Sequence, residues 1–177
     1  MCLRIFRAGL KQAMVDAKWP AFEDVFFGFD AHRIRAMSDE DLERLLADSC
    51  LIRHWGKIRA VRDNATAMIE ISTIHNGFGH YLAGWPTQKI MGLWDDLARR
   101  FQQLGGQSGA NFLRMAGKDT FLLTADVVAA LVSAKVIEGK PTSKRARDSI
   151  QNAFNDWALE SGRPLCQISK ILALSGQ

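Results

Sequence analysis

Cysteine is scarce in this 177-residue chain: Cys2, Cys50 and Cys166 are far apart and odd in number. That spacing excludes a disulfide framework and a zinc knuckle, and it points to a reducing, cytoplasmic setting. Long apolar runs are missing too. No stretch approaches the ~20 residues that cross a bilayer, and the opening Met1-Cys2-Leu3-Arg4-Ile5-Phe6-Arg7 is too short and too charged for a secretory signal. No membrane partner is expected. Strand-like alternation is absent as well; Phe121-Leu122-Leu123 is a brief apolar stretch with nothing to pair with. The chain has no internal repeat, low-complexity linker or heptad seam.

What is present is a hydrophobic fraction of 47%, enough for a packed interior, and a net charge of +4, compatible with a polyanionic partner. Helical periodicity runs through most of the chain. Leu42, Leu45 and Leu46 follow Ser38-Asp39-Glu40-Asp41, where Ser38 reads as an N-cap and the acids suit a helix start. Ile58, Val61, Ala65, Met68 and Ile69 form a second apolar stripe, with Lys57, Arg59, Arg62 and Asp63 expected to face outward. Leu93, Leu97 and Phe101 carry a helix that stops at Leu104-Gly105-Gly106. Further helices hold Phe112 and Leu113, then Val127 to Val132, then Ile150, Phe154 and Trp157 behind a Thr142 or Ser143 cap, then Leu165 to Leu174. The fold class is all-α.

The stretch richest in chemistry is Leu104-Gly105-Gly106-Gln107-Ser108-Gly109, between two helices. A tight helix–hairpin–helix needs glycine where φ turns positive and where the backbone approaches a ligand closely. The second helix then opens with unpaired N–H groups that suit a phosphate oxygen. Lys118, with Arg99, Arg100 and Arg114, adds positive charge. A plain glycine turn between packed helices fits the same letters. Lys140, Lys144, Arg145 and Arg147 read either as a solvated helix start or as a second patch facing a polyanion, and His75 and His80 as surface residues.

Several ordered segments resemble the DNA-3-methyladenine glycosylase I family, within the helix–hairpin–helix base-excision superfamily. They are Ala8-Gly9-Leu10, Phe27-Gly28-Phe29-Asp30, Met37 through Leu45, Asp48, Leu51-Ile52-Arg53-His54, Gly56-Lys57-Ile58-Arg59-Ala60 and Asn64-Ala65. The bend, Phe112, Ser161-Gly162-Arg163-Pro164-Leu165 and Gln167-Ile168-Ser169 resemble a proteobacterial branch of it. The resemblance implies two helical lobes with a cleft between them: a helical barrel with hairpin over about 29–123, and a second lobe from about 1–28 plus 124–177. It also implies a monofunctional N-glycosylase that hydrolyses the glycosidic bond of a flipped, alkylated purine in double-stranded DNA, without a cofactor, as a nucleoid-associated cytoplasmic activity. Gly9 and Leu10 would then supply a wedge into the duplex, unless Leu10 belongs to a buried helix face.

Three departures from the family pattern bear on chemistry. Arg4 stands where the family's base pocket has an acid, and Gln12 where it has a tryptophan. Arginine only donates hydrogen bonds, and glutamine offers no indole face. With Trp55, which sits among charged residues, Arg4 and Gln12 are the base-pocket candidates. Asp126 stands at the C-terminal position of a family zinc ligand, no Cys/His cluster follows, and no metal is expected. The chain also starts only a few residues before Ala8, where the family carries a further N-terminal stretch; a naturally shortened relative and a sequence from which that piece was left out both read this way. The superfamily's catalytic aspartate position falls on Thr124, two residues before Asp126. Asp126 is therefore the candidate carboxylate for steadying a positively charged sugar, or simply an acid in the first turn of a helix. A catalytically silent protein that binds damaged DNA, and a scaffold that has lost DNA altogether, are the rival expectations.

Overall fold

The computed structural model describes residues 1–175. The helices are α1 (Cys2–Arg7), α2 (Gln12–Val25), α3 (Ala31–Arg35), α4 (Asp39–Ala47), α5 (Trp55–His75), α6 (Phe78–Gly84), α7 (Ile90–Arg100), α8 (Gln107–Met115), α9 (Ala125–Ser133), α10 (Lys144–Ser161) and α11 (Leu165–Ser175), with single 3-10 turns at Phe27–Phe29 and Thr87–Lys89. The described residues contain no strand, and no helix among them is long and apolar enough to cross a membrane.

Local chemistry explains where the helices begin and end. Ser38 caps α4 in a reciprocal box: its hydroxyl accepts from the Asp41 amide at 3.1 Å, and the Asp41 carboxylate accepts from the Ser38 amide at 2.8 Å. Ser143, rather than Thr142, caps α10 by accepting from the Ala146 amide at 3.1 Å. Gly162 ends α10 at φ 66°, a left-handed conformation that glycine adopts without a Cβ penalty.

The chain divides into two compact units, one made of Met1–Gly84 with Leu97–Ser108, the other of Trp85–Asp96 with everything from Gly109 onward. This partition differs from the expected 29–123 and 1–28 plus 124–177. The reason lies in the first core. Phe6, Val15, Phe22 and Phe26 are buried in one cluster with Ile34, Leu42, Leu51, Ile58 and Val61. The Phe6 and Phe22 ring centroids are 4.4 Å apart, and Trp19 stacks on Phe29 at 5.1 Å. Helices α1 and α2 therefore supply side chains to the first unit's core. The second unit has its own aromatic core: Phe121 stacks on Phe154 at 4.0 Å, and Trp94 meets Phe121 edge-on at 5.0 Å.

Candidate functional site

The glycine bend is at the surface. Helix α7 ends at Arg100, Gln103 (φ 63°) and Gly106 (φ 55°) turn the chain through left-handed conformations, and α8 starts at Gln107. Gly105, Gly106 and Gln107 are exposed, Ser108 is half-buried, and Gly109 is buried one step further on. The Ser108 amide donates to the Gly105 carbonyl at 3.1 Å, which closes the bend. Space around Gly106 is open, with nothing within 4 Å of an added Cβ, so only its backbone conformation calls for glycine. An oxyanion can reach the exposed backbone of Gly105, Gly106 and Gln107, whereas the Ser108 amide is spent within the bend and Gly109 is buried.

Two buried polar side chains that the periodicity did not single out fix the approach to this bend and to α1. Asn64, in the middle of α5, donates to the Gln102 carbonyl at 3.0 Å and accepts from the Gln102 amide at 2.7 Å. Lys57, expected to face outward, is instead 5% exposed. Its ammonium donates to the carbonyls of Phe6 (3.3 Å) and Ala8 at the end of α1. Those carbonyls have no helical partner, and that explains why a lysine goes inward here. The expectation followed residue type; the structure follows hydrogen-bond supply.

Arg4, half-buried in α1, lies within electrostatic reach of Lys57. Burial pushes the Arg4 guanidinium below its ordinary value, and Arg7 adds to the effect. Burial likewise pushes Lys57 down, with Arg4 contributing. Arg7 is paired with Asp16 at 2.7 Å, whereas the buried Nε of Arg4 has no hydrogen-bond partner. The result is a half-buried cation with an unused donor beside a buried one. Gly9 is exposed at φ 75°, and Leu10 packs half-buried against the first core. Gln12 is the exposed first residue of α2, and Trp55, the first residue of α5, is 37% exposed. None of Arg4, Gln12 and Trp55 lines the apolar pocket of about 230 Å³ that opens in the same unit beside Trp19, Phe29, Met68 and Cys2. The aromatic spacing within α2 and the 3-10 turn was the sequence signal for that pocket.

In the second unit, Asp126 is exposed in the first turn of α9, behind the Thr124 cap, whose hydroxyl accepts from the Val127 amide at 3.3 Å. The segment leading to it is held from both sides. Asp119 accepts from the Leu165 and Cys166 amides, each at 2.9 Å, and so caps α11. Ser169, buried in α11, accepts from the Leu122 amide at 3.0 Å and donates to the Leu122 carbonyl at 3.2 Å. The α9 start thus has a fixed anchor, as a positioned carboxylate requires. Lys118, counted among the hairpin's DNA contacts, donates to the Trp85 carbonyl, so at least one of its N–H groups serves the protein's own backbone. The described residues hold no group of three or more His, Cys, Asp or Glu side chains arranged to bind a metal ion.

A family model described as methyladenine glycosylase matches residues 1–103, which take in α1 to α7 and stop just before the bend. DNA-3-methyladenine glycosylase 1 of Escherichia coli (strain K12) is 39% identical over 71 residues, 40% of this chain and 38% of that protein. The DNA-3-methyladenine glycosylase of Haemophilus influenzae is 28% identical over 89 residues, 50% of this chain and 48% of that one. The chain therefore spans less than half the length of these curated relatives. A crystal structure of 3-methyladenine DNA glycosylase I superposes with a TM-score of 0.57 and 31% identity, covering 66% of this chain and 74% of that one. The fold is also that of the Staphylococcus aureus enzyme, at a TM-score of 0.57 and 24% identity over 66% of this chain and 72% of that one. With more than half of its residues under the family model, the chain belongs to the methyladenine glycosylase family.

Proposed function

We propose that the protein is a monofunctional DNA N-glycosylase of base-excision repair, acting on a flipped, alkylated purine in duplex DNA. The observation that carries the reading is the family match over residues 1–103, followed directly by an exposed glycine bend that opens α8. In this reading the exposed backbone at Gly105, Gly106 and Gln107 receives a phosphodiester oxygen, while Ser108, whose amide closes the bend, and the buried Gly109 hold its shape. Gly9 and Leu10 fill the gap left by the extruded nucleotide. Within the first unit Arg4, Gln12 and Trp55 are the candidates for contact with the base.

The chemistry asks little of the protein. An alkylated purine already carries positive charge, so when the N-glycosidic bond breaks, its electron pair goes to the ring nitrogen and a neutral base departs. The sugar is left with oxocarbenium character at C1′. Water adds at C1′ and a proton passes to a carboxylate or to solvent; within the second unit Asp126 is the candidate for the carboxylate that steadies the charge. Cytoplasmic action on the nucleoid follows from this substrate.

A second reading, DNA binding without excision, is favoured by one observation. With Arg4 beside the base, it and Lys57 would repel a positively charged purine, and among the described residues no acid forms an ion pair with either. Incubating the protein with alkylated duplex and measuring free-base release separates the two. Release supports the enzyme; tight, salt-sensitive binding without release supports the silent binder.

A further inference from the structure

At the start of α10 lies a polar groove of about 340 Å³ whose charged lining is Lys135, Lys140 and Arg145 against the single acid Glu138, with the Ser143 and Ser149 hydroxyls between them. All three cations are exposed, as is their neighbour Lys144, and no ion pair engages any of the four among the described residues. The wider groove that Lys144 lines differs: there Arg147 is committed to Asp95 at 2.6 Å.

The charges run against the helix. A helix N-terminus carries partial positive charge and favours acids in its first turn; α4 obeys with Asp39, Glu40 and Asp41. Helix α10 has no acid in its first turn and opens with Lys144-Arg145 instead. Unpaired cations gathered around a dipole of the same sign repel one another and are unfavourable for the isolated fold, and an anion in the groove relieves that repulsion. The lining offers no aromatic face on which a base could stack. Lysine, arginine, hydroxyls and helix amides are the donors that contact a nucleic-acid backbone. We propose that this groove binds the phosphodiester backbone of duplex DNA, independently of sequence, as a surface additional to the glycine bend. The choice of DNA as the polyanion rests on the proposed function above.

The test is an anisotropy titration of undamaged duplex between ~50 and ~200 mM salt, using the intact chain, Arg145→Glu and the double variant Lys140→Glu/Arg145→Glu. The slope of log K against log salt falls by about 0.9 for each phosphate that the protein no longer neutralises, so it falls nearly twice as far in the double variant as in the single one. The melting temperature stays level or rises, because an acid now faces the start of α10; weaker binding with undiminished stability is a pairing that a structural role does not give. Equal slopes and affinities for wild type and double variant overturn the groove proposal while leaving the DNA reading intact. A wild type that binds no duplex overturns both. Poly-glutamate that binds the wild type as tightly as the oligonucleotide does, and fails to bind the double variant, assigns the groove to an acidic protein and also overturns the proposal.

Discussion

Asn64 holds both backbone groups of Gln102, donating to its carbonyl at 3.0 Å and accepting from its amide at 2.7 Å. The pair are 38 positions apart in the chain, and Gln102 lies just before the bend. One buried amide thereby sets where the α7–α8 turn leaves the first unit. Asn64→Ala removes both bonds and leaves the Gln102 groups to find water. The expected cost is ~1–3 kcal/mol, read as a lower urea midpoint, together with weaker DNA binding. Binding that survives undiminished in a destabilised variant would separate the clamp from the interface.

Gly106→Val forces a β-branched residue to φ 55° in otherwise open space. The left-handed conformation costs roughly 1–2 kcal/mol for an L-residue. Stability should fall by that amount, and duplex affinity by more than stability alone explains, because the bend's amides change direction. Equal affinity for variant and wild type would show that the amides do not touch the phosphate.

Arg4→Met tests the cation pair by alkaline titration. Burial and Arg4 both lower Lys57 from its ordinary 10.5. The unfolded chain therefore binds more protons than the folded one between the lowered value and 10.5, and wild-type stability rises with pH across that window. Removing Arg4 takes away the lesser of the two causes, so the alkaline gain in melting temperature should shrink. An unchanged pH profile would mean that Arg4 and Lys57 do not feel one another. Under the proposed placement of Arg4 beside the base, Arg4→Glu replaces repulsion with attraction for a cationic base, so release of 3-methyladenine should rise relative to release of neutral bases.

Asp126→Asn keeps shape and removes charge. The loss of a first-turn acid costs only ~0.3–1 kcal/mol of stability, while a carboxylate acting at C1′ is worth on the order of 10²-fold or more in rate. Single-turnover excision that slows by less than twofold would return Asp126 to the role of a helix-start acid.

The all-α class was legible because α4 and α8 carry clear apolar stripes, and because Ser38 and Gly162 punctuate the chain as caps do. The bend was legible because glycines cluster there. Lys57 was not, since a lysine within an amphipathic pattern reads as outward-facing until the orphan carbonyls of Phe6 and Ala8 are seen beside it. The grouping of α1 and α2 with α5 was equally hidden, because the Phe6–Phe22 contact and the cluster around Ile58 join segments far apart in sequence. The roles of Asp119 and Ser169 were hidden for the same reason: each acts on a backbone more than forty residues away.

The most direct measurement of excision is abasic-site formation in a duplex carrying 3-methyladenine, followed under single-turnover conditions with protein in excess. A glycosylase of this kind forms free base and alkali-labile sites in equal amounts, and Asp126→Asn slows both. DNA that is bound but keeps every glycosidic bond intact would contradict that reading.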